Sequence, residues 1–256
     1  MAGAVQSVDR AIDLLEAMAR SDVPMGVGEL AAATGLPQGT VHRLLRTLQA
    51  RGYVRSDASR KYSLGASAFV LGDAAQRSLA RSARPHLADL VSFSGETANL
   101  AVLEGDDVVY LAQVPSPHSL RMFAEVGRHV PPHTTAVGKV LLAAMPSERA
   151  GALLARTGLP RQTDSTITDL DEFLAELTST RARGWAVDEG EHEAGVRCVA
   201  VPVGEGDEVV AALSVSGPAE RFAGAASDGL LEEMSRVAGV FARTVLGMTR
   251  DEPVRS

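Results

Sequence analysis

Gln38, Thr40, His42, Arg43, Arg46 and Thr47 crowd one short stretch of the chain. Each can present a hydrogen-bonding group from the outer side of a helix. Gln, Thr and Arg match the donor and acceptor patterns of base edges in a DNA major groove, so Gln38, Thr40 and Arg43 are the leading candidates for base contacts. Arg46, Arg51, Arg55, Arg60 and Lys61 suit phosphate contacts, which position a protein on a duplex without specifying sequence. Arg60 and Lys61 fall at the tip of a predicted hairpin, where they suit an adjacent minor groove. Between positions 38 and 61, these basic residues stand against a single acid, Asp57, in a chain whose net charge is −7. For nucleic-acid binding the distribution of charge counts for more than its sum.

Such side chains need a scaffold, and residues 27–46 read as a helix-turn-helix. Short helices are predicted at about 27–33 and 38–50. Leu30, Leu36, Val41 and Leu44 supply the small core between them. Ala31 is small where the second helix crosses, and Gly35 tolerates the positive φ of the sharp turn. Pro37 cannot extend the first helix but can open the second. Val41, Leu44, Leu45 and Leu48 recur at i, i+3, i+4 and i+7, so one face of the second helix is buried. Tyr53–Ser56 and Lys61–Leu64 read as two short strands around the turn Asp57-Ala58-Ser59, a basic wing. An ordinary helical hairpin with a solvated arginine face is the alternative. The helix-turn-helix spacing, the basic bias and the hairpin agree with one another and favour the DNA reader.

Upstream, Ser7 is placed to cap a first helix, with Val8, Ile12, Leu15 and Met18 at helical spacing. Ser21-Asp22-Val23-Pro24 ends it. From about 66 to 94 the pattern is helical, with an interruption expected near Pro85, and 66–82 is assigned as a connecting helix. Beyond residue 95 strands are expected at Thr97–Leu103, Val108–Gln113, Val196–Val203 and Val209–Ser216. Helices are expected at about 136–145, 147–156, 169–183 and 225–248. Strands interleaved with helices indicate an α/β or α+β sensing domain. There is no internal repeat.

Composition excludes several classes. No apolar run approaches the roughly 18–20 residues of a membrane helix. The amphipathic, acid-containing N-terminus does not read as a signal peptide, so a cytoplasmic location is expected. The single cysteine, Cys198, forms no internal disulfide and fits a reducing compartment. Lys61 and Lys139 are the only lysines, a usage that suits a GC-rich bacterial genome. Two rival chemistries are open to these side chains. Cys198 with His133 or His192 could pair a nucleophile with a base, but RCVAVPV reads as a buried strand without a catalytic motif. His118, His129, His133, His192, Glu191, Glu193 and Cys198 include possible metal ligands, but His129 and His133 straddle Pro131-Pro132 and do not share a helix face. Neither a catalytic residue, a metal nor a cofactor is called for.

QSVDRAIDLLEAMA, GLPQGTVHRLLRTLQARGYV and RKYSLG resemble the IclR family of transcription regulators. So do GETANLAVLEGDDVVYLAQV, HSLRMFAEVGRHVPPHTTAVGKVLLA, GWAVDEGEHEAGVRCVAVPV and VVAALSVSGP. The resemblance covers essentially the whole chain. It implies an α+β protein: a winged helix-turn-helix (1–65), a linker helix (66–82) and a GAF-like effector-binding and oligomerisation domain (83–256). It also implies a regulator, expected to be a repressor, acting on double-stranded operator DNA as a homodimer or dimer of dimers. Two departures stand out. Gly204 and Glu205 replace an aromatic or His followed by Asp or Asn, in an expected turn at 204–207. Gly39 stands where many members have Ser. The stretch VPSPHSLRMFAEVGRHVPPHTTAVGK further resembles the actinobacterial branch that represses allantoin and purine-degradation genes.

The resemblance also implies a site for a small carboxylate such as glyoxylate, pyruvate or allantoate, or an aromatic acid. Its positions match Met122, Val130, Ala136, Val137, Asp188, Cys198, Ser214 and Ser216 here. Physical reasoning bears on several of these. Ser214 and Ser216 share one face of a strand. Ala136 and Val137 open a helix, whose free N–H groups can receive an anion. Cys198 adds a weak donor, while Met122 and Val130 supply apolar wall. Asp188 would repel an anion unless it accepts from a ligand hydroxyl, carries a proton or orients a donor. Plain core packing of Met122, Val130, Val137 and Cys198, with solvent-facing serines, is the alternative.

Overall fold

The computed structural model describes residues 5–21, 23–122, 125–204, 209–225 and 229–247, without the side chains of 223–225. The chain divides into two compact units, Met1–Gln76 and Arg77–Ser256.

The first unit runs α1 (Gln6–Ala19), α2 (Val27–Thr34), α3 (Gln38–Ala50), β1 (Val54–Ser56) and β2 (Tyr62–Leu64). The two strands pair antiparallel, Val54 opposite Leu64. Leu14, Met18, Leu30, Val41, Leu45 and Val54 form one small apolar core. Gly35 ends α2 at φ 66°, the left-handed turn expected of it. Tyr62 bonds Met25 in both directions, Met25 N–H to Tyr62 O at 2.9 Å and Tyr62 N–H to Met25 O at 2.7 Å. This stitches the wing to the chain entering α2.

Two expectations for α1 are corrected. The helix starts at Gln6 with Val5 at its cap position and no side-chain cap, so Ser7 lies inside the first turn. Of the predicted stripe, Met18 is buried, but Val8 and Ile12 are 53% and 46% exposed. Residues 8, 12 and 15 form one helical stripe and residues 14 and 18 another. The core takes Leu14 and Met18 fully and Leu15 in part, and leaves Val8 and Ile12 outside.

α4 (Ala66–Ser94) is continuous through Pro85, so the expected interruption does not occur. Proline removes one N–H and one helical hydrogen bond. Here the flanking Ala83, Leu87 and Leu90 are fully buried in the core of the second unit, which offsets that loss.

The second unit is built on β3 (Thr97–Glu104), β4 (Asp107–Val114), β5 (His129–Val130), β6 (Ala186–Glu189), β7 (Val196–Val203) and β8 (Ala211–Pro218). They form one antiparallel sheet in the order β5-β4-β3-β8-β7-β6. Helices α5 (Ala136–Ala144), α6 (Ser147–Thr157), α7 (Leu170–Arg183), α8 (Ala219–Ala225) and α9 (Leu230–Val245) complete it. β5, β6 and α8 are too short for periodicity to announce. The helix expected at 225–248 is α9 alone; 226–228, 248 and the expected turn at 205–207 lie outside the described residues.

One sheet face is apolar over most of its area. Ala98, Leu100, Val102, Val199, Val201, Leu213 and Val215 pack with Leu87 and Leu90 of α4 and with Met234, Val237 and Phe241 of α9. The other face meets α5 through Ala101, Val108, Ala186, Ala200 and Ala212. These small residues let α5 sit close, and every residue from Ala136 to Ala143 is buried. Among the described residues no helix is long and apolar enough to cross a membrane.

Candidate functional sites

On α3, Val41 and Leu45 are buried and Leu44 and Leu48 pack partly against the same core. The opposite face therefore faces solvent. Gln38, His42, Arg43, Arg46 and Thr47 are exposed, as are Arg51, Arg55, Arg60 and Lys61; Thr40 is half-buried. The Thr47 hydroxyl donates to Arg43 O at 3.2 Å, so the helix itself occupies that donor. Gln49 Nε2 donates to Ser56 Oγ at 3.1 Å and ties the helix to the wing. At the wing tip, Asp57 Oδ1 accepts from Ser59 N at 2.8 Å and Lys61 N at 2.9 Å. Arg60 adopts φ 59°, which points the turn back into β2. Lys61 Nζ lies 3.6 Å from Glu29 Oε2, whose other role is to accept from Gly26 N at 2.5 Å. The backbone N–H of Gly26 and the Lys61 charge hold the Glu29 carboxyl below the usual range. Lys61 is thus partly neutralised by its own unit, unlike the arginines foreseen beside it.

The second site arises from register. Along the α5 side of the sheet, Asp188, Cys198, Ser216 and Thr97 stand abreast on β6, β7, β8 and β3. The next row is Ala186, Ala200, Ser214, Asn99 and Gln113. The face is apolar beneath α5 and turns polar past the N-terminus of that helix. A register shift between Leu100 and Ala101 lets both Tyr110 and Gln113 contribute to the face, although they are three apart on β4. Gln113 Nε2 donates to Asn99 Oδ1 at 2.9 Å, and Asn99 Nδ2 donates to Ser214 Oγ at 3.3 Å and Ser216 Oγ at 3.4 Å. All four side chains are buried, so this is an interior network with paired groups.

A small cavity of about 20 Å³ opens against the outer row. Thr97, Asn99, Tyr110 and Ser216 floor it, and Met122, Thr135 and His192 stand around it, with Asp188 and Cys198 to one side. Met122 is fixed through its carbonyl, which accepts from Thr97 Oγ1 at 2.9 Å. Thr135 caps α5 by accepting from Gly138 N at 3.1 Å. Gly138 is needed there, because a Cβ would lie 2.1 Å from Pro132 O. The first N–H groups of a helix have no intrahelical acceptors, so α5 turns its donor end toward this region.

Of the foreseen effector residues, Met122, Asp188, Cys198 and Ser216 line the cavity, and Ser214 lies one row away in the same network. Val130, Ala136 and Val137 do not line it; their side chains belong to the apolar core under α5. Thr97, Asn99, Tyr110, Thr135, His192, Glu193 and Val196 were missed. The β3 and β4 residues gave no local signal, since only pairing brings them to β8.

The electrostatics suit neutral forms. Burial, against the Glu191 N–H bond that opposes it, pushes the Asp188 carboxyl up to about 7. Asp188 Oδ1 accepts from Glu191 N at 2.6 Å. Burial first, then the nearby Asp188 charge, pushes the Cys198 thiol up, and burial does the same to the Tyr110 hydroxyl. A thiol so disposed is a poor nucleophile. His192 does share the cavity with Cys198, but its Nδ1 meets Thr134 Oγ1 at 3.0 Å; His133 turns away, with Nε2 3.0 Å from Pro160 O. Among the described residues no three His, Cys, Asp or Glu side chains gather as a metal site.

Both units match known protein families. The IclR helix-turn-helix domain family matches residues 7–58, and the C-terminal domain family of bacterial IclR transcriptional regulators matches residues 73–241. The chain is 39% identical over 226 residues to the transcriptional repressor IclR of Escherichia coli, covering 86% of this chain and 82% of that one. It is 34% identical over 221 residues to the transcriptional repressor AllR of Salmonella typhimurium, covering 85% and 81%. A crystal structure of an IclR homologue from Microbacterium hydrocarbonoxydans complexed with 4-hydroxybenzoate superposes with a TM-score of 0.59 at 26% identity, covering 93% of this chain and 98% of that one. These matched families and relatives are transcriptional regulators rather than enzymes, and the chain belongs to the IclR family.

Proposed function

We propose that this protein is a repressor whose operator affinity is set by a small organic acid bound against the polar row of the sheet. The observation that carries this reading is the polar row Asp188–Cys198–Ser216–Thr97, which borders a cavity on a sheet whose opposite face packs with aliphatic side chains. Residues 1–65 read the operator, 66–82 link, and 83–256 take the effector and oligomerise. Gln38, Thr40 and Arg43 touch base edges, while Arg46, Arg51, Arg55 and Arg60 grip phosphates. Exposed Val5 at the cap of α1, Val8 and Ile12 on α1, and Phe69, Val70 and Leu71 on α4 suit burial between copies, as a dimer or dimer of dimers requires.

Acid binding changes DNA affinity only by the difference between the acid's affinities for the DNA-competent and DNA-incompetent dimer geometries. The resemblance of the stretch from Val114 to Lys139 to regulators of allantoin and purine breakdown supports glyoxylate or allantoate as the acid. Cavity size favours glyoxylate: about 20 Å³ admits roughly one water, so a two-carbon acid demands the least expansion. The 4-hydroxybenzoate complex of the Microbacterium homologue favours the second reading, an aromatic acid.

The test is a gel-shift titration on the upstream region of the protein's own gene, with and without saturating glyoxylate, allantoate, pyruvate or 4-hydroxybenzoate. A steep salt dependence and release by one acid are expected. Operator affinity unchanged by all four acids would sink the reading.

A further inference from the structure

We propose that the acid is taken up together with one proton, which Asp188 holds and donates to a carboxylate oxygen of the ligand, so that the cavity binds an anion without a cation. This rests on the reading of the cavity as the effector site. Among the described residues lining it there is no lysine or arginine. The nearest buried ammonium, Lys139 on α5, is already committed: Nζ donates to Glu191 Oε1 at 2.5 Å and to Val187 O at 3.0 Å. A carboxylate entering beside an ionised Asp188 would place two like charges together at low dielectric, an arrangement that drives one of them to protonate. Asp188 is the group poised to do so. It is 2% exposed and stands abreast of Cys198 in the polar row. Its folded-state value already lies near neutrality. Oδ1 accepts from Glu191 N, the His192 backbone N–H and the Cys198 thiol also lie against the carboxyl, and a proton taken up there would turn Asp188 from an acceptor into a donor.

The neighbouring charges do not replace this role. Glu191 is buried beside Asp188, neutralises Lys139 and adds negative potential. Glu176 on α7 lies 4.0 Å from Lys139 and bonds Arg183. Arg197 on β7 pairs with Glu189 at 2.7 Å. Tyr110 and Cys198 face the site as neutral donors, burial having raised both. Burial first, then the charges of Arg128 and His133, lower His192 against Glu193 and favour its neutral form. The proton comes from solvent on binding and returns there on release.

The experiment is isothermal titration of the full-length protein with glyoxylate, pyruvate and 4-hydroxybenzoate, in paired buffers of different ionisation heat, between about pH 6 and about pH 8.5. Proton uptake should be near zero at about pH 6, roughly half a proton near pH 7 and close to one proton at about pH 8.5. Kd should be flat below about pH 7 and rise about tenfold per pH unit above it. Asp188→Asn, checked for folding by its thermal melt, should bind with no proton uptake and a pH-independent Kd, while His192→Gln should keep the uptake. Proton release, an affinity that improves with pH, or uptake that survives Asp188→Asn or vanishes in His192→Gln would overturn the proposal. If Ser216→Ala weakens a pH-independent binding, the proton linkage falls and the effector site stands. If no acid binds at about pH 6, or Ser216→Ala and Cys198→Ala leave binding unchanged, both readings fall.

Discussion

In Met1–Gln76 the candidate working side chains stand outside a core of a few aliphatic residues. In Arg77–Ser256 they lie inside, on a sheet face whose remainder is apolar. A DNA contact asks a side chain to reach a surface many times its own size, so exposure is the useful state and the fold need only hold one helix straight. A small acid is recognised by being surrounded, so its donors must be buried and paired before it arrives. The difference explains why the reader's residues carry few internal hydrogen bonds, whereas Gln113, Asn99, Ser214 and Ser216 are chained together.

Four experiments test that contrast, from the largest expected effect to the smallest. Removing a core anchor should damage whichever unit it supports. Phe241→Ala should cost about 3–5 kcal/mol of unfolding free energy, measured in urea, and abolish acid binding. Loss of acid binding with unchanged urea stability would break the assignment of Phe241 to the core.

The second concerns the buried acid. The Asp188 carboxyl has a folded value of about 7 against an ordinary 3.8, so its contribution to stability is fully present below about pH 4 and is lost as pH rises through about 7. Asp188→Asn should therefore gain stability relative to the parent as pH rises, on the order of 3–4 kcal/mol by about pH 8.5. A constant difference in urea midpoint across that range would show that Asp188 stays charged in the folded protein.

Third, Arg43→Ala should weaken operator binding by about 1–3 kcal/mol and relax sequence preference, leaving acid affinity and urea stability unchanged. Equal weakening on operator and random DNA would make Arg43 a phosphate contact. Smallest is Ser216→Ala, expected to reduce acid affinity by about 0.5–1.5 kcal/mol while sparing operator binding without ligand. An equal loss of operator affinity would mean that the polar row supports the fold rather than the ligand.

The two regions were also unequally legible. The helix-turn-helix core, the left-handed Gly35, the basic face and the wing all follow from residue spacing within a few turns of chain. Which stripe of α1 is buried did not follow, because two stripes compete and the choice lies with the neighbouring helices. In the second unit, strand positions were readable, but only part of the site was. Asn99 lies 115 positions from Ser214, and nothing near either residue announces the pairing. Val130, Ala136 and Val137 sit close to the site in sequence and yet face the core, since α5 packs on small sheet residues.

By itself the sequence determined the family, the DNA-reading element and the alternation of strands and helices, because periodicity, turn residues and charge act over short distances. Tertiary structure alone decided that Asp188, Cys198, Ser216 and Thr97 stand in one row beside a cavity with no lysine or arginine among its described lining. That outcome depends on strand order and register. A slip of one residue would turn every one of those side chains to the opposite face.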